Sequence, residues 1–171
     1  ATAVQGDFTV TSGNATAQRS ANTDTFFMQS PEVVLDWLPY DMAFGGGAID
    51  FLPNGNQLIF DGTGNFIVLN RVVPNDPSRP IAFNGAVSSI VGNGTGGTVW
   101  FYSPGGIVIG STGSFDVGNL VLSANDIDTT GGLLGPDGEI RFRGAADSTS
   151  AVVVNNGAQI NAITDGSYIA M

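Results

Sequence analysis

The 171 residues include fifteen acids, five arginines and no lysine, a formal charge of −10, so the basic footprint that nucleic acid or an anionic membrane surface requires is missing. Neither cysteine nor histidine is present, which removes disulfides, thiolate metal sites, Ser-His-Asp and Cys-His catalysis and most zinc chemistry. Charged residues make up 12% of the chain against a usual ~25%, and glycine numbers 25, a strand-and-turn composition in one domain that can bury roughly 70% of its unfolded surface.

In chain order, the sequence opens at Ala1 rather than Met, which fits either a removed signal peptide or a boundary within a longer chain. About the first 30 residues are expected to cap the fold, starting with an alternating strand at Gly6–Thr11. Pro31–Leu38 (PEVVLDWL) has the proline start and early acid of a short helix, yet Val33, Val34, Leu35 and the nearby Pro39 suit a short strand as well. Further strands are expected at Gln57–Phe60, Asn65–Val73, Thr98–Tyr102, Ile107–Ile109, Ser114–Val117, Leu120–Leu122, Glu139–Arg143, Ala151–Val154, Gln159–Ile163 and Ser167–Met171. Between them lie a proline-rich excursion at Val73–Pro80, a glycine-rich turn at Gly92–Gly97 and a projecting insertion at about Ala124–Gly138. No run of 18 apolar residues is long enough to span a bilayer as a helix.

These apolar runs are short and separated by a few bend residues, which decides between two architectures. Sandwich hairpins usually join longer strands through tight reversing turns. Strands this short gain little from pairing with their sequence neighbours, whereas stacked coils give each a partner above and below. Ile109–Val117 and Val154–Ala162 share an apolar run, a bend and an alternating strand at an offset of about 44 to 45 residues, which reads as two coils of about 22 or as one coil plus the insertion. The expected fold is therefore all-β: a single-stranded parallel β-helix with N-terminal capping strands and short insertions outside it.

Several stretches then carry a family resemblance. Val34–Met42 with Trp37, Phe66–Val72 with Asn70-Arg71-Val72, Ile81–Val87, Ser103-Pro104-Gly105-Gly106 and Gly118–Ser123 follow one another as the corresponding elements do in the filamentous-haemagglutinin-type secretion domain of two-partner secretion. The C-terminal AVVVNNGAQINAITDGSYIAM resembles the coil that follows, so the likeness covers roughly Gln29–Met171. It implies a right-handed parallel β-helix and singles out Trp37, Asn70, Arg71, Ser103, Pro104, Gly105 and Gly106 as the secretion-motif positions. The family's Asn-Pro-Asn-Gly turn is altered, with Ser103 and Gly105 in place of its asparagines. Pro104 still fixes φ, and the glycines permit positive φ, so the bend is expected to survive without the asparagine contacts.

Other readings of these residues stay open. Arg71, between Leu69 and Val72, suits either a transporter contact or a guanidinium that satisfies loop carbonyls. Trp37, Trp100, Phe101 and Tyr102 suit a sugar-stacking platform or core packing. Asp126-Ile127-Asp128 and the Asp61–Asn65 loop could hold calcium but lack the full ligand spacing, and turn chemistry explains them. Asp126 and Asp128 with Arg141 and Arg143 could imitate a polysaccharide-cleaving site, though no rigid facing carboxylate pair is evident. Asn14-Ala15-Thr16 and Asn93-Gly94-Thr95 match the glycosylation sequon.

The resemblance implies the secretion signal and folding nucleus of a larger adhesin-like bacterial exoprotein, without enzymatic activity or cofactor. It is expected to cross the periplasm and to be secreted or held at the cell surface. The partner implied is a cognate outer-membrane β-barrel transporter with periplasmic POTRA-like domains; host or matrix glycans would be met through a passenger, and no lipid bilayer is entered. The apolar Ser167–Met171 without a polar cap adds the expectation of a larger parent. A stand-alone surface adhesin or filament subunit, or less readily a carbohydrate-active β-helix enzyme, shares the fold.

Overall fold

The computed structural model describes residues 1–41, 47–144, 148–164 and 167–171. It is all-β, with no helix among the described residues. Two strands come first, β1 (Gly6–Ser12) and β2 (Ala15–Arg19), followed by β3 (Thr23–Met28), β4 (Glu32–Pro39) and β5 (Ile49–Leu52). A second group is β6 (Gln57–Gly62), β7 (Ile67–Val72) and β8 (Ile81–Phe83), and a third is β9 (Ala86–Val91), the short β10 (Gly94–Thr95), β11 (Thr98–Tyr102) and β12 (Ile107–Ile109). Then come β13 (Ser114–Val117), β14 (Asn119–Ser123), the two-residue β15 (Asp126–Ile127) and β16 (Phe142–Arg143), β17 (Val152–Val154), β18 (Gln159–Ala162) and β19 (Ile169–Ala170).

Three sheets hold nearly all of them. Sheet A runs β1-β4-β7-β11-β14-β19, sheet B runs β2-β3-β6-β9-β13-β18, and sheet C runs β5-β8-β12-β17. From β3 onward the main strands visit sheets B, A and C in turn, and each pairs in parallel with its equivalent one circuit later. The first strands break that rule, β1 lying antiparallel on β4 and β2 on β3, and the short β10 and β15 also pair antiparallel, with β9 and β16. Parallel pairing thus begins at Thr23, after β1 and β2 have covered the first circuit.

Register makes the core. Inward rows run Val33–Val68–Val99–Leu120 and Leu35–Asn70–Phe101–Leu122 across sheet A, and Leu58–Val87–Phe115–Ile160 across sheet B. Leu52–Phe83–Ile109–Val154 crosses sheet C. Phenylalanines from all three sheets meet edge to face between them, as in Phe83–Phe101 at 4.8 Å and Phe83–Phe115 at 5.4 Å between ring centroids.

The ambiguous PEVVLDWL segment is strand β4, because Val33, Leu35 and Trp37 alternate inward at period two and both edges are paired. The similar segments Ile109–Val117 and Val154–Ala162 are stacked neighbours, with Ile109 opposite Val154 and Val117 opposite Ala162. Their offset is therefore one circuit plus an insertion, since residues 124–144 leave the stack between β14 and β17. Of the expected strand Glu139–Arg143 only Phe142–Arg143 is paired, in a small hairpin with Asp126–Ile127. Strands β2 and β3 were not foreseen, since Asp24 occupies an inward position and hides the alternation of TDTFFM.

Candidate functional site

Trp37 and Asn70, singled out by the resemblance, meet inside the stack. The Trp37 indole Nε1 donates to Asn70 Oδ1 at 3.0 Å, and Asn70 Nδ2 donates to the Trp100 carbonyl at 3.2 Å. One buried amide therefore ties β4, β7 and β11 together in a row that is otherwise apolar. Trp37 also packs edge to face on Phe26 and Phe51, each at 5.4 Å. Over its ring, at 5.4 Å, sits the Arg19 guanidinium, whose Nε donates to Asp24 at 3.0 Å and whose Nη atoms reach the Gly6 and Val4 carbonyls. Asp24 has no exposed surface and accepts from the Val4 amide as well, so Arg19 and Asp24 close this end of the core. Sequence reasoning passed over both; an acid in an inward strand position, five residues after a lone arginine, was the available signal.

Arg71 points the other way. It lies on the outer face of sheet A, in the register row Thr9–Asp36–Arg71–Tyr102–Ser123. Its Nε donates to Asp126 Oδ1 at 3.1 Å and its Nη2 to the Ile127 carbonyl at 2.6 Å, so it fastens the insertion to the sheet. Arg143 approaches the other Asp126 oxygen at 3.5 Å. Burial pushes the Asp36 carboxyl above its usual range; the Arg71 charge opposes that shift and the Asp126 charge adds to it. Tyr102 is raised for the same leading reason, with Asp126 contributing. The acids and arginines weighed as a cleavage site are therefore only partly assembled. Asp128 accepts from the Thr130 amide at 2.9 Å, which holds its carboxyl below the usual range, while Arg141 Nη2 donates to the carbonyls of Thr130 and Gly132 at 2.8 and 3.1 Å and more distantly to that of Asp128. Asp126 is spent between two guanidiniums. No group of three or more acids that could hold a metal occurs among the described residues, and Asp61 stands within β6 rather than in a loop.

Ser103-Pro104-Gly105-Gly106 forms the corner between β11 and β12. The Gly106 amide donates to the Ser103 carbonyl at 3.1 Å, closing a turn with Pro104 and Gly105 at its centre. Gly106 has φ of +102°, and a Cβ there would stand 2.6 Å from the Ala151 carbonyl, while one on Gly105 would run into the Arg79 carbonyl. The corner is thus wedged between the backbones of neighbouring circuits, and Ser103 is fully buried. Trp37, Trp100 and Phe101 are also buried and offer no surface platform. Met42, the last residue of one resembling stretch, and Asp165-Gly166 in another lie outside the described residues.

Among the clefts at the surface of the described residues are two of similar volume. One of about 480 Å³ follows the corner from sheet B to sheet A, taking Pro31, Asn65, Gly97, Asn119 and Thr164 from successive circuits, with Leu134 of the insertion as a wall. The other, about 460 Å³, lies beside the last circuit among Leu122, Phe142, Ala151 and Met171. Neither gathers convergent charged groups. The chain matches no family model and no curated protein.

Proposed function

We propose that the chain forms a right-handed parallel β-helix and acts as the secretion signal and folding nucleus of a larger, adhesin-like bacterial exoprotein. The observation that carries this reading is the contrast between the two ends of the stack. At one end β1 and β2 are antiparallel lids on β4 and β3, and Arg19 covers Phe8 and Trp37. At the other end β17, β18 and β19 each have a single neighbour among the described residues, and Val154 and Ile163 are 41% and 59% exposed. An unpaired parallel edge beside an open apolar core is a template on which further strands gain hydrogen bonds and burial. Added circuits would then draw the following chain outward as it folds.

In this reading a cognate outer-membrane β-barrel transporter captures the unfolded segment by pairing with it along a strand edge, through periplasmic POTRA-like domains. The absence of cysteine supports such a route, because no disulfide can lock the chain before passage. Trp37, Asn70 and Ser103–Gly106 then serve export through the fold that they build. Coexpression with and without a candidate outer-membrane transporter tests the proposal: the chain is expected in the medium only when the transporter is present. Release without it, or export unchanged after deletion of Val99–Ser123, would sink the reading.

A further inference from the structure

Residues 124–144 cross back over the outer face of sheet A and are attached to it in an unusual way. Ile127 and Leu133 bury themselves against Val34, Leu69, Trp100 and Val121, a cluster separate from the core enclosed by the three sheets. No strand ladder joins the two layers among the described residues: β15 pairs only with β16, and the backbone bonds Asp128–Arg141 and Gly135–Glu139 stay inside the segment. Beside apolar contact, Arg71 fastens it through Asp126 and the Ile127 carbonyl, Glu32 through Oε1, which accepts from the Leu133 amide at 2.7 Å, and the Ser123 hydroxyl at its start through the Asn125 carbonyl and amide.

The same layer holds unsatisfied polar groups. Of the buried side-chain atoms without a hydrogen-bond partner among the described residues, Trp100 Nε1 and Asp36 Oδ1 lie on the outer face of sheet A and Arg141 Nε in the segment, while those of Asp24, Ser89 and Ser103 lie elsewhere in the stack. Each of the first three is an energetic charge against the closed arrangement that water would relieve on opening. We infer that residues 124–144 are a strap that lifts off sheet A as a unit while the stacked circuits stay folded, with the Arg71–Asp126 contact as its latch. The strap is the resident occupant of an apolar face: lifting it uncovers Val34, Leu69, Trp100 and Val121, bordered by Asp36, Arg71 and Tyr102. This device is independent of the export reading, since it concerns the folded chain alone.

Hydrogen exchange of the full chain, followed by mass spectrometry on peptides spanning 126–143 and 98–109, tests it. Strap amides are expected to exchange at least about tenfold faster than those of β11 and β12, and Asp126→Asn to speed strap exchange by roughly another tenfold, the scale of losing one charge-assisted contact. Exchange in 98–109 should not change. Arg71→Met repeats the test from the sheet side, and Asp126→Asn, which leaves the stack untouched, stands alone if that variant does not fold. In a Trp37→Phe background, Trp100 should become more accessible to acrylamide when Asp126 is replaced. Equal exchange of strap and sheet, acceleration spread evenly over the chain, or a strap that Asp126→Asn leaves unchanged overturns the inference.

Discussion

The Trp37–Asn70 hydrogen bond makes the sharpest quantitative claim, and a double-mutant cycle isolates it. Asn70→Leu keeps a side chain of similar volume in the row between Leu35 and Phe101 but leaves the Trp37 indole N–H with no acceptor in a site where both residues are buried. An orphaned buried donor costs about 1–3 kcal/mol, and loss of the second amide bond, to the Trp100 carbonyl, adds about 1 kcal/mol, so the single variant should lose about 2–4 kcal/mol. Trp37→Phe removes the donor and some edge-to-face packing with Phe26 and Phe51, at about 1–3 kcal/mol. In the double variant no indole is left to orphan, while the Trp100 carbonyl loses the same partner as in Asn70→Leu, so that part cancels. The coupling energy should therefore be about 1–3 kcal/mol, the cost of the orphaned donor, with the double variant more stable than the sum of the singles. Urea unfolding of the four proteins at neutral pH, compared at a common m-value, measures it. Additivity within about 0.5 kcal/mol would refute the reasoning and free Trp37 and Asn70 for some other role.

Two further outcomes test the ends of the same argument. Arg19→Met leaves fully buried Asp24 without its cation and should cost about 3–5 kcal/mol, whereas Arg19→Met with Asp24→Leu should recover much of that loss; equal damage in both would show that the ion pair is not what closes the core. Asp36 holds its proton more tightly folded than unfolded, so its contribution to stability is full below the unfolded carboxyl value of about 3.9 and is lost as pH rises through the raised folded value. Asp36→Asn should then raise the melting temperature at pH 7, with the gain shrinking on acidification toward pH 4; a gain that grows as the pH falls contradicts the assignment.

How much the sequence revealed depended on whether a local pattern coincided with the tertiary one. Val99–Tyr102, Ile107–Ile109 and Leu120–Leu122 were legible as apolar runs cut by Gly, Pro, Asn or Ser, and Ser114–Val117 as an alternating one, and each is a strand or lies within one. The corner at 103–106 was legible for the same reason: Pro104 and a glycine at positive φ are local requirements. Asn70 was visible as a motif residue but not as a core hydrogen-bonding group, since its partners Trp37 and Trp100 are some thirty residues away on either side. Arg71 was legible only as a choice between two uses, and the choice falls to Asp126 and Ile127, fifty-five and fifty-six residues further on. The strap was legible as an insertion, yet nothing local in ANDIDTTGGLLGPDG says that Ile127 and Leu133 will find a second apolar face on sheet A.

The distribution of local and distant pairings also suggests an order of assembly. Parallel neighbours here are joined only after the chain has passed through all three sheets, so every ladder from β3 to β6 onward closes a long loop before it gains anything. Apart from the short β9–β10 pair, the local exception among the described residues is β2 with β3, an antiparallel pair linked by a few residues, whose Ser20 amide and hydroxyl are already bonded to the Thr23 carbonyl. That hairpin can form without waiting for any other segment, and it carries Arg19 and Asp24, in register with each other. Once it stands, β6 has an edge to join, and each completed circuit presents the next. Growth then runs from the closed end toward β17–β19, which is the direction in which a chain emerging amino end first becomes available to fold.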